Sequence, residues 1–210
     1  GSQFHVVDSF SKSVQLGHGL ESTGKLSRAS MNRTINAIRI CRQKLDRHGV
    51  KNMRLVATEA CRRARNGQNF VAQVRRETGL MLEIIQPEEE ARLAVISCAP
   101  LVSTKTDQLL VVDIGGGSTE LVWIDLTNVP QRERPRAIMR LHAGFKSDPG
   151  PFAAAKVVDW ISVPLGVATL RDQFADVEDD AARFALMSWF FEESLEDFLP
   201  YAAAQTREGF

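Results

Sequence analysis

The segment Asp113-Ile114-Gly115-Gly116-Gly117-Ser118-Thr119-Glu120 sets three glycines and a serine between two carboxylates. Glycines carry no Cβ, so successive backbone amides can close around a phosphate as anion-binding nests do. Magnesium favours one or two carboxylates together with water and phosphate oxygens, and Asp113 and Glu120 supply such a pair beside the turn. Asp113 also ends the apolar run that starts at Leu109. A carboxylate is costly there unless it meets solvent, a cation or hydrogen-bond donors. The competing reading is a tight hairpin whose two carboxylates bond only to backbone amides.

Three phosphate-binding designs share this glycine logic. A P-loop needs G-x-x-x-x-G-K-[ST] and a following helix, whereas here no lysine follows and the chain continues Glu120-Leu121-Val122-Trp123-Ile124. A dinucleotide-binding turn also opens a helix, and Trp123 with its β-branched neighbours favours a strand instead. Strand, glycine turn, strand remains, which is a phosphate-binding hairpin with Gly115, Gly116, Gly117 and Ser118 as its loop.

Two other clusters could carry charge chemistry. Pro87-Glu88-Glu89-Glu90-Ala91-Arg92 puts three acids at the start of a helix. The helix dipole favours each there by ~0.3–1 kcal/mol, so on its own terms the cluster reads as helix-end electrostatics. Ala57-Thr58-Glu59-Ala60-Cys61-Arg62-Arg63-Ala64-Arg65-Asn66 leaves a strand and carries three arginines. Arginine grips phosphate oxygens bidentately, although an exposed basic turn is the better reading of Arg63 and Arg65.

The elements that must position these groups follow from periodicity. Phe4 to Leu16 alternates loosely in the manner of strands, and Gly17, Gly19 and Gly24 then break it. Ser27 or Ser30 caps a predicted helix with Met31, Ile35, Ile38, Cys41 and Leu45 on one face and Gly49 as its terminator. Met53 to Thr58 reads as a short buried strand, Asn66 as the cap of a helix carrying Phe70 and Val74, and Met81 to Ile85 as another strand. Pro87 suits the first turn of a third helix, where its missing donor costs nothing. Strand, helix, strand, helix implies an α/β layer. A new unit begins beyond the polar connection Ser103 to Asp107, with strands at Leu109–Asp113, Thr119–Asp125 and Val157–Val163. Thr127 to Pro151 reads as loop with one irregular strand near Ala137 to Leu141. Helices are predicted near 165–175 and 181–198, the second with Phe184, Met187, Phe191, Leu195 and Phe198 on one side.

Composition excludes several classes. With 44% hydrophobic and 25% charged residues the chain is an ordinary globular protein and not a disordered one. No apolar run approaches the roughly 20 residues needed to cross a bilayer, and no signal-peptide pattern opens the chain, so a cytoplasmic location is expected. Cys41, Cys61 and Cys98 have neither disulfide-framework nor metal-ligand spacing. Residues 1–86 hold 15 Lys and Arg against 6 Asp and Glu, and the remainder holds 11 against 20. A cleft between such halves could draw a polyanion to one wall and a cation to the other, although from charge alone solvated helix faces are the better reading of the segregation.

Taken together and in this order, the segments resemble the exopolyphosphatase and guanosine pentaphosphate phosphohydrolase family. The likeness runs through Val7-Asp8-Ser9-Phe10-Ser11, Leu16-Gly17-His18-Gly19-Leu20, Ala57 to Arg62, Glu88 to Arg92 and Asp113 to Glu120, and resumes at Trp160 to Gly166. It implies an actin-like, ribonuclease-H-like α/β fold of two domains, 1–106 without its first hairpin and 107–210 in part, with the site between them. By position it makes Glu90 the catalytic base, Asp113 and Glu120 the metal-linked carboxylates, Gly115 to Ser118 the phosphate loop and Arg62 a phosphate contact. It also implies magnesium as cofactor and the release of terminal phosphate from inorganic polyphosphate or guanosine pentaphosphate. A homodimer is compatible with it, and neither a membrane nor nucleic acid is expected as partner. The Asp-x-Gly-Ser-Asn-Ser hairpin that opens the family's pattern has no counterpart in these residues, so the 210-residue polypeptide alone is expected to bind phosphate-rich ligands weakly and hydrolyse them negligibly. The rival readings are a non-catalytic nucleotide- or alarmone-binding regulator on the same fold, and an actin-like sugar or acetate kinase.

Overall fold

A computed structural model describes residues 6–145 and 155–199. Packing divides the chain into two compact units, Gly1–Ile84 and Ile85–Phe210. The first contains α1 (Leu20–Thr23), α2 (Arg28–Arg47), β1 (Val56–Ala57), α3 (Glu59–Arg63), α4 (Gly67–Thr78) and β2 (Glu83–Ile84). The predicted cap starts α2: the Ser27 hydroxyl accepts the Ser30 amide at 3.1 Å, which satisfies one of the donors a helix start leaves open. Gly49, at φ 63°, turns the chain after it. Ile35 of α2 meets Phe70 and Val74 of α4 in a core completed by Leu20, Leu26, Cys61 and Ala64. Burial pushes the Cys61 thiol up to about 11 against a smaller opposing pull from Arg62, so this cysteine is a packing residue.

Three local expectations change. Asn66 stands at the cap position of α4, but its side chain makes no cap bond. Its amide instead pairs with the Leu26 backbone in both directions, at 2.8 and 3.0 Å, and ties two distant loops together. The strands predicted at Met53–Thr58 and Met81–Ile85 shrink to one parallel two-residue pair, Val56 with Glu83 and Ala57 with Ile84. Each has a single neighbouring strand among the described residues, and Met81 is 66% exposed. Residues 6–16 form no strand, with Val6 and Val7 exposed, while Phe4 lies outside the described residues. Asp8 is held instead by Lys44 at 2.7 Å and by His48 at 3.2 Å.

The second unit contains α5 (Pro87–Cys98), β3 (Gln108–Ile114), β4 (Thr119–Asp125), α6 (Arg134–Met139), β5 (Lys156–Val163), α7 (Val167–Gln173) and α8 (Asp180–Ser194). The three strands form an antiparallel sheet in the order β3-β4-β5. Side chains alternate across a strand, so register decides who shares a face. Val111, Val122 and Trp160 form one cross-strand row, and Asp113, Glu120 and Ser162 form the next polar row on that same face. Ala91, Val95 and Ala99, spaced four apart along and just beyond α5, join Val111, Val122 and Ile124 in the core of this unit. That stripe is why the compact units divide at Ile84/Ile85 and not at the polar connection 103–107: the helix opened by Pro87 packs with the strands that follow it.

Of the irregular strand expected at Ala137 to Leu141, Ala137 to Met139 form the end of a helix, α6, with Ala137 and Ile138 buried. Residues 146–151 of the predicted loop lie outside the described residues. Arg134 opens α6 and is itself buried, donating to the Val129 carbonyl at 3.2 Å, the Thr104 carbonyl at 3.1 Å and Asp107 at 2.6 Å. Arg134→Ala leaves two carbonyls short of a donor and should destabilise this unit by about 1–2 kcal/mol, with Arg134→Lys recovering only part because one ammonium cannot reach three acceptors in a plane. Thermal unfolding checks this, and an unchanged midpoint for the alanine variant would show that water replaces the guanidinium at no cost. α8 stops at Ser194, and Phe184, placed on its apolar side by the sequence pattern, is 72% exposed, whereas Phe198 beyond the helix is buried. No helix among the described residues is long and apolar enough to cross a membrane.

Candidate active site

The β3–β4 hairpin closes through a bond from the Gly115 amide to the Ser118 carbonyl at 2.9 Å. Asp113 and Glu120 are directly opposed two residues outside that closure. Their settings differ. Asp113 is exposed, whereas Glu120 is 1% exposed and has Ser162 opposite it on β5. The Ser162 hydroxyl donates to Glu120 Oε1 at 2.9 Å, and Glu120 Oε2 has no hydrogen-bond partner among the described residues. The N–H groups of Gly116 and Gly117 likewise have no protein partner among the described residues.

Glu90 reaches this end of the sheet from α5. Pro87 starts that helix, Ala91 and Val95 seat it in the core, and Glu90 stands just before Ala91. Its charge acts on Glu120, as does that of Asp113. The structure therefore brings Glu90, Asp113, Glu120 and the loop Gly115–Ser118 together in one unit. The neighbouring Glu89 has a different job: it grips Arg92 bidentately at 2.6 and 2.8 Å, and Arg92 donates to the Leu141 carbonyl at 2.7 Å. Glu89 thus serves the local structure of the helix start, in keeping with the bland reading that it shares with Glu88.

Burial raises the Glu120 pKa above the usual carboxylate value, the Ser118 and Ser162 hydroxyls pull it back, and repulsion from Glu90 and Asp113 adds to the rise. An unfolded chain releases this proton near 4.5 while the folded chain still holds it, so stability falls as pH rises through that window and the loss persists above it. Glu120→Gln should therefore unfold at a higher temperature than the parent at pH 7 without metal, and the advantage should vanish below pH 4. Melting curves at the two pH values check this; a variant that melts lower at pH 7 would mean that Glu120 is satisfied as an anion.

A buried carboxylate oxygen with no donor, beside two further carboxylates, is what a small hard cation would relieve. Among the described residues no group of three or more His, Cys, Asp or Glu is placed to hold a metal by itself. The arrangement fits magnesium bound by one or two carboxylates with the rest of its shell from water and phosphate, and it does not fit a closed protein cage.

Arg62 belongs to the first unit, on α3. Its guanidinium meets Glu59 at 2.8 and 3.1 Å and is 11% exposed. Arg63 pairs with Glu21 at 2.6 Å and Arg65 donates to the Thr23 carbonyl at 2.8 Å, so both serve the local loop as the basic-turn reading expected.

Sequence reasoning passed over Ser162 and the segment behind the glycine loop. Thr119 Oγ1 donates to the Leu165 carbonyl at 2.7 Å, and a Cβ on Gly166 would stand 2.5 Å from the Gly115 oxygen. The signal was in place, because Ser162-Val163-Pro164-Leu165-Gly166 ends a predicted strand in a glycine and lies within the Trp160 to Gly166 stretch of the family likeness.

A glycine hairpin between paired strands, with carboxylates at its base and a helix laid across the same sheet face, places this α/β chain in the actin-like, ribonuclease-H-like class. The chain belongs to the Ppx/GppA phosphatase family, whose sequence pattern matches residues 1–205. It is 30% identical over 180 residues to the guanosine-5'-triphosphate,3'-diphosphate pyrophosphatase of Aeromonas salmonicida, covering 86% of this chain and 31% of that protein. The PPX-GPPA enzyme of Aquifex aeolicus superimposes with a TM-score of 0.58 at 29% identity over 88% of this chain and 52% of its own. An exopolyphosphatase of Cytophaga hutchinsonii shares the fold with a TM-score of 0.65 at 22% identity, over 88% of this chain and 53% of its own. The chain thus spans about half the length of these solved relatives and under a third of the curated one.

Proposed function

We propose that this chain carries the metal and phosphate side of a phosphohydrolase that releases terminal phosphate from inorganic polyphosphate or guanosine pentaphosphate. The observation that carries the reading is the convergence of Glu90, Asp113 and Glu120 at a glycine loop whose Gly116 and Gly117 amides have no protein partner among the described residues. Those amides hold oxygens of the terminal phosphoryl group. Glu90 orients a water molecule in line with the bridging P–O bond and accepts its proton on a carboxylate oxygen. A bond forms from that water oxygen to the terminal phosphorus, the bridging bond breaks, and its electron pair leaves with the shortened chain. Asp113 and Glu120 would hold magnesium: Ser162 fixes Oε1 of Glu120, and Oε2 has no hydrogen-bond partner among the described residues. Magnesium, when bound, offsets charge on the phosphate oxygens. The family likeness makes Arg62, paired with Glu59 in this structure, a phosphate contact, and Arg62→Ala is expected to weaken substrate binding most at low salt, where its charge is least screened. The same reading extends to a cytoplasmic location.

Phosphate release from both substrates by the complete gene product, with and without magnesium, tests this. Magnesium-dependent release from at least one of the two is expected. Tight binding of guanosine pentaphosphate with no release from either substrate would reject turnover.

A further inference from the structure

We infer that the segment Leu165–Thr169, which needs to touch neither phosphate nor metal, aims the amides of the glycine loop. The Val167 amide donates to the Gly115 carbonyl at 3.0 Å, and the Ala168 amide donates to the Gly116 carbonyl at 2.8 Å. In a trans peptide the C=O and the following N–H point in opposite directions, and no peptide bond among the described residues is cis. Holding the Gly115 carbonyl toward α7 therefore turns the Gly116 N–H away from it, and holding the Gly116 carbonyl does the same for Gly117. These are the two amides with no protein partner among the described residues.

The segment is built for this approach. Gly166 lies so close that an added Cβ would be 2.5 Å from the Gly115 oxygen and 2.6 Å from the Gly117 nitrogen. The Thr169 hydroxyl accepts the Gly166 amide at 2.6 Å and fixes the entry to α7. Thr119, at the far side of the loop, donates to the Leu165 carbonyl at 2.7 Å and anchors the hairpin to the same segment. The first amides of α7 are thus spent on carbonyls of the loop and not on a ligand. Glycine-rich loops are conformationally permissive, and these bonds remove that freedom before a phosphate arrives.

This rests on the phosphate-loop reading of Gly115–Ser118, and the test separates the two. Val167 is the first residue of α7, a position that accepts proline, and Gly166 before it is extended at φ −121°, ψ −177°, as a residue before proline should be. Val167→Pro replaces the N–H with a ring carbon that would crowd the Gly115 oxygen, so the bond is lost and the loop is pushed away while the helix start is kept, whereas Val167→Ala keeps the N–H and loses only side chain that is 65% exposed in the parent. Tripolyphosphate with magnesium is titrated into the chain while backbone amide resonances are followed, and thermal midpoints of the two variants are compared. In the parent the Gly116 and Gly117 resonances should move. Val167→Pro should weaken the dissociation constant at least about 5–10-fold, the scale of one oriented hydrogen bond, with Val167→Ala within about twofold of the parent and both variants still unfolding cooperatively. Equal affinities for Val167→Pro and Val167→Ala would overturn the aiming role while leaving the loop reading in place. Unmoved Gly116 and Gly117 resonances in the parent would overturn the loop reading and the inference with it. Should Val167→Pro fail to fold, Gly166→Ala carries the test: it must push the loop away and weaken binding, and parent-like affinity there would sink the proposal.

Discussion

Glu90→Gln in the complete gene product should lower kcat by about 10²–10⁴ while leaving KM within a few-fold, because the amide keeps the shape of the side chain and loses its ability to take a proton. The expectation comes from position as much as from chemistry. α5 is seated in the core by Ala91, Val95 and Ala99, which fixes its roll, and the Glu89–Arg92–Leu141 linkage holds its first turn. Glu90 is thereby presented to the end of the sheet that carries Asp113 and Glu120. Steady-state kinetics with near-parental turnover would remove Glu90 from the mechanism. A rise in KM at unchanged kcat would make it a binding group instead.

Asp113→Asn and Glu120→Gln should each raise the magnesium concentration needed for half-maximal activity by about 10-fold or more, since loss of even the outer partners of metal ligands costs 10–100-fold in affinity. The two should differ elsewhere. Glu120 is buried with an unpartnered oxygen, so its neutral variant is expected to gain stability as it loses metal affinity. Asp113 is exposed, and its variant should melt with the parent. Magnesium titrations that superimpose on the parent for both variants would reject the metal assignment and leave a hairpin whose carboxylates serve only the fold.

The hairpin and its carboxylates were legible in the sequence because the constraint there is local. An apolar strand, a glycine triplet and a second β-branched strand leave one arrangement, and the register Asp113 to Glu120 follows from it. The long helix from Arg28 was legible for the same reason, in its cap and its spacing. Glu90 was not readable from its own neighbourhood, where three acids at a helix start look alike. Only tertiary packing separates Glu89, turned to Arg92, from Glu90, whose charge acts on Glu120. Asn66 shows the same limit: a good cap residue by type, it is drawn off by the Leu26 backbone forty residues away. The α6 segment failed for composition, since Pro135 and four arginines between 132 and 140 read as loop until Arg134 is seen buried among three acceptors. Ser162 and Gly166 act through partners more than forty residues distant, and no periodicity marks such residues.

The claim that water attacks the terminal phosphorus is tested most directly by running the reaction of the complete gene product with magnesium in ¹⁸O-labelled water and locating the label. One labelled oxygen in each released orthophosphate, and none in the shortened chain or nucleotide, is the expected result. Label on the shortened product would place the attack at an inner phosphorus, and no release of orthophosphate from either substrate would contradict the account altogether.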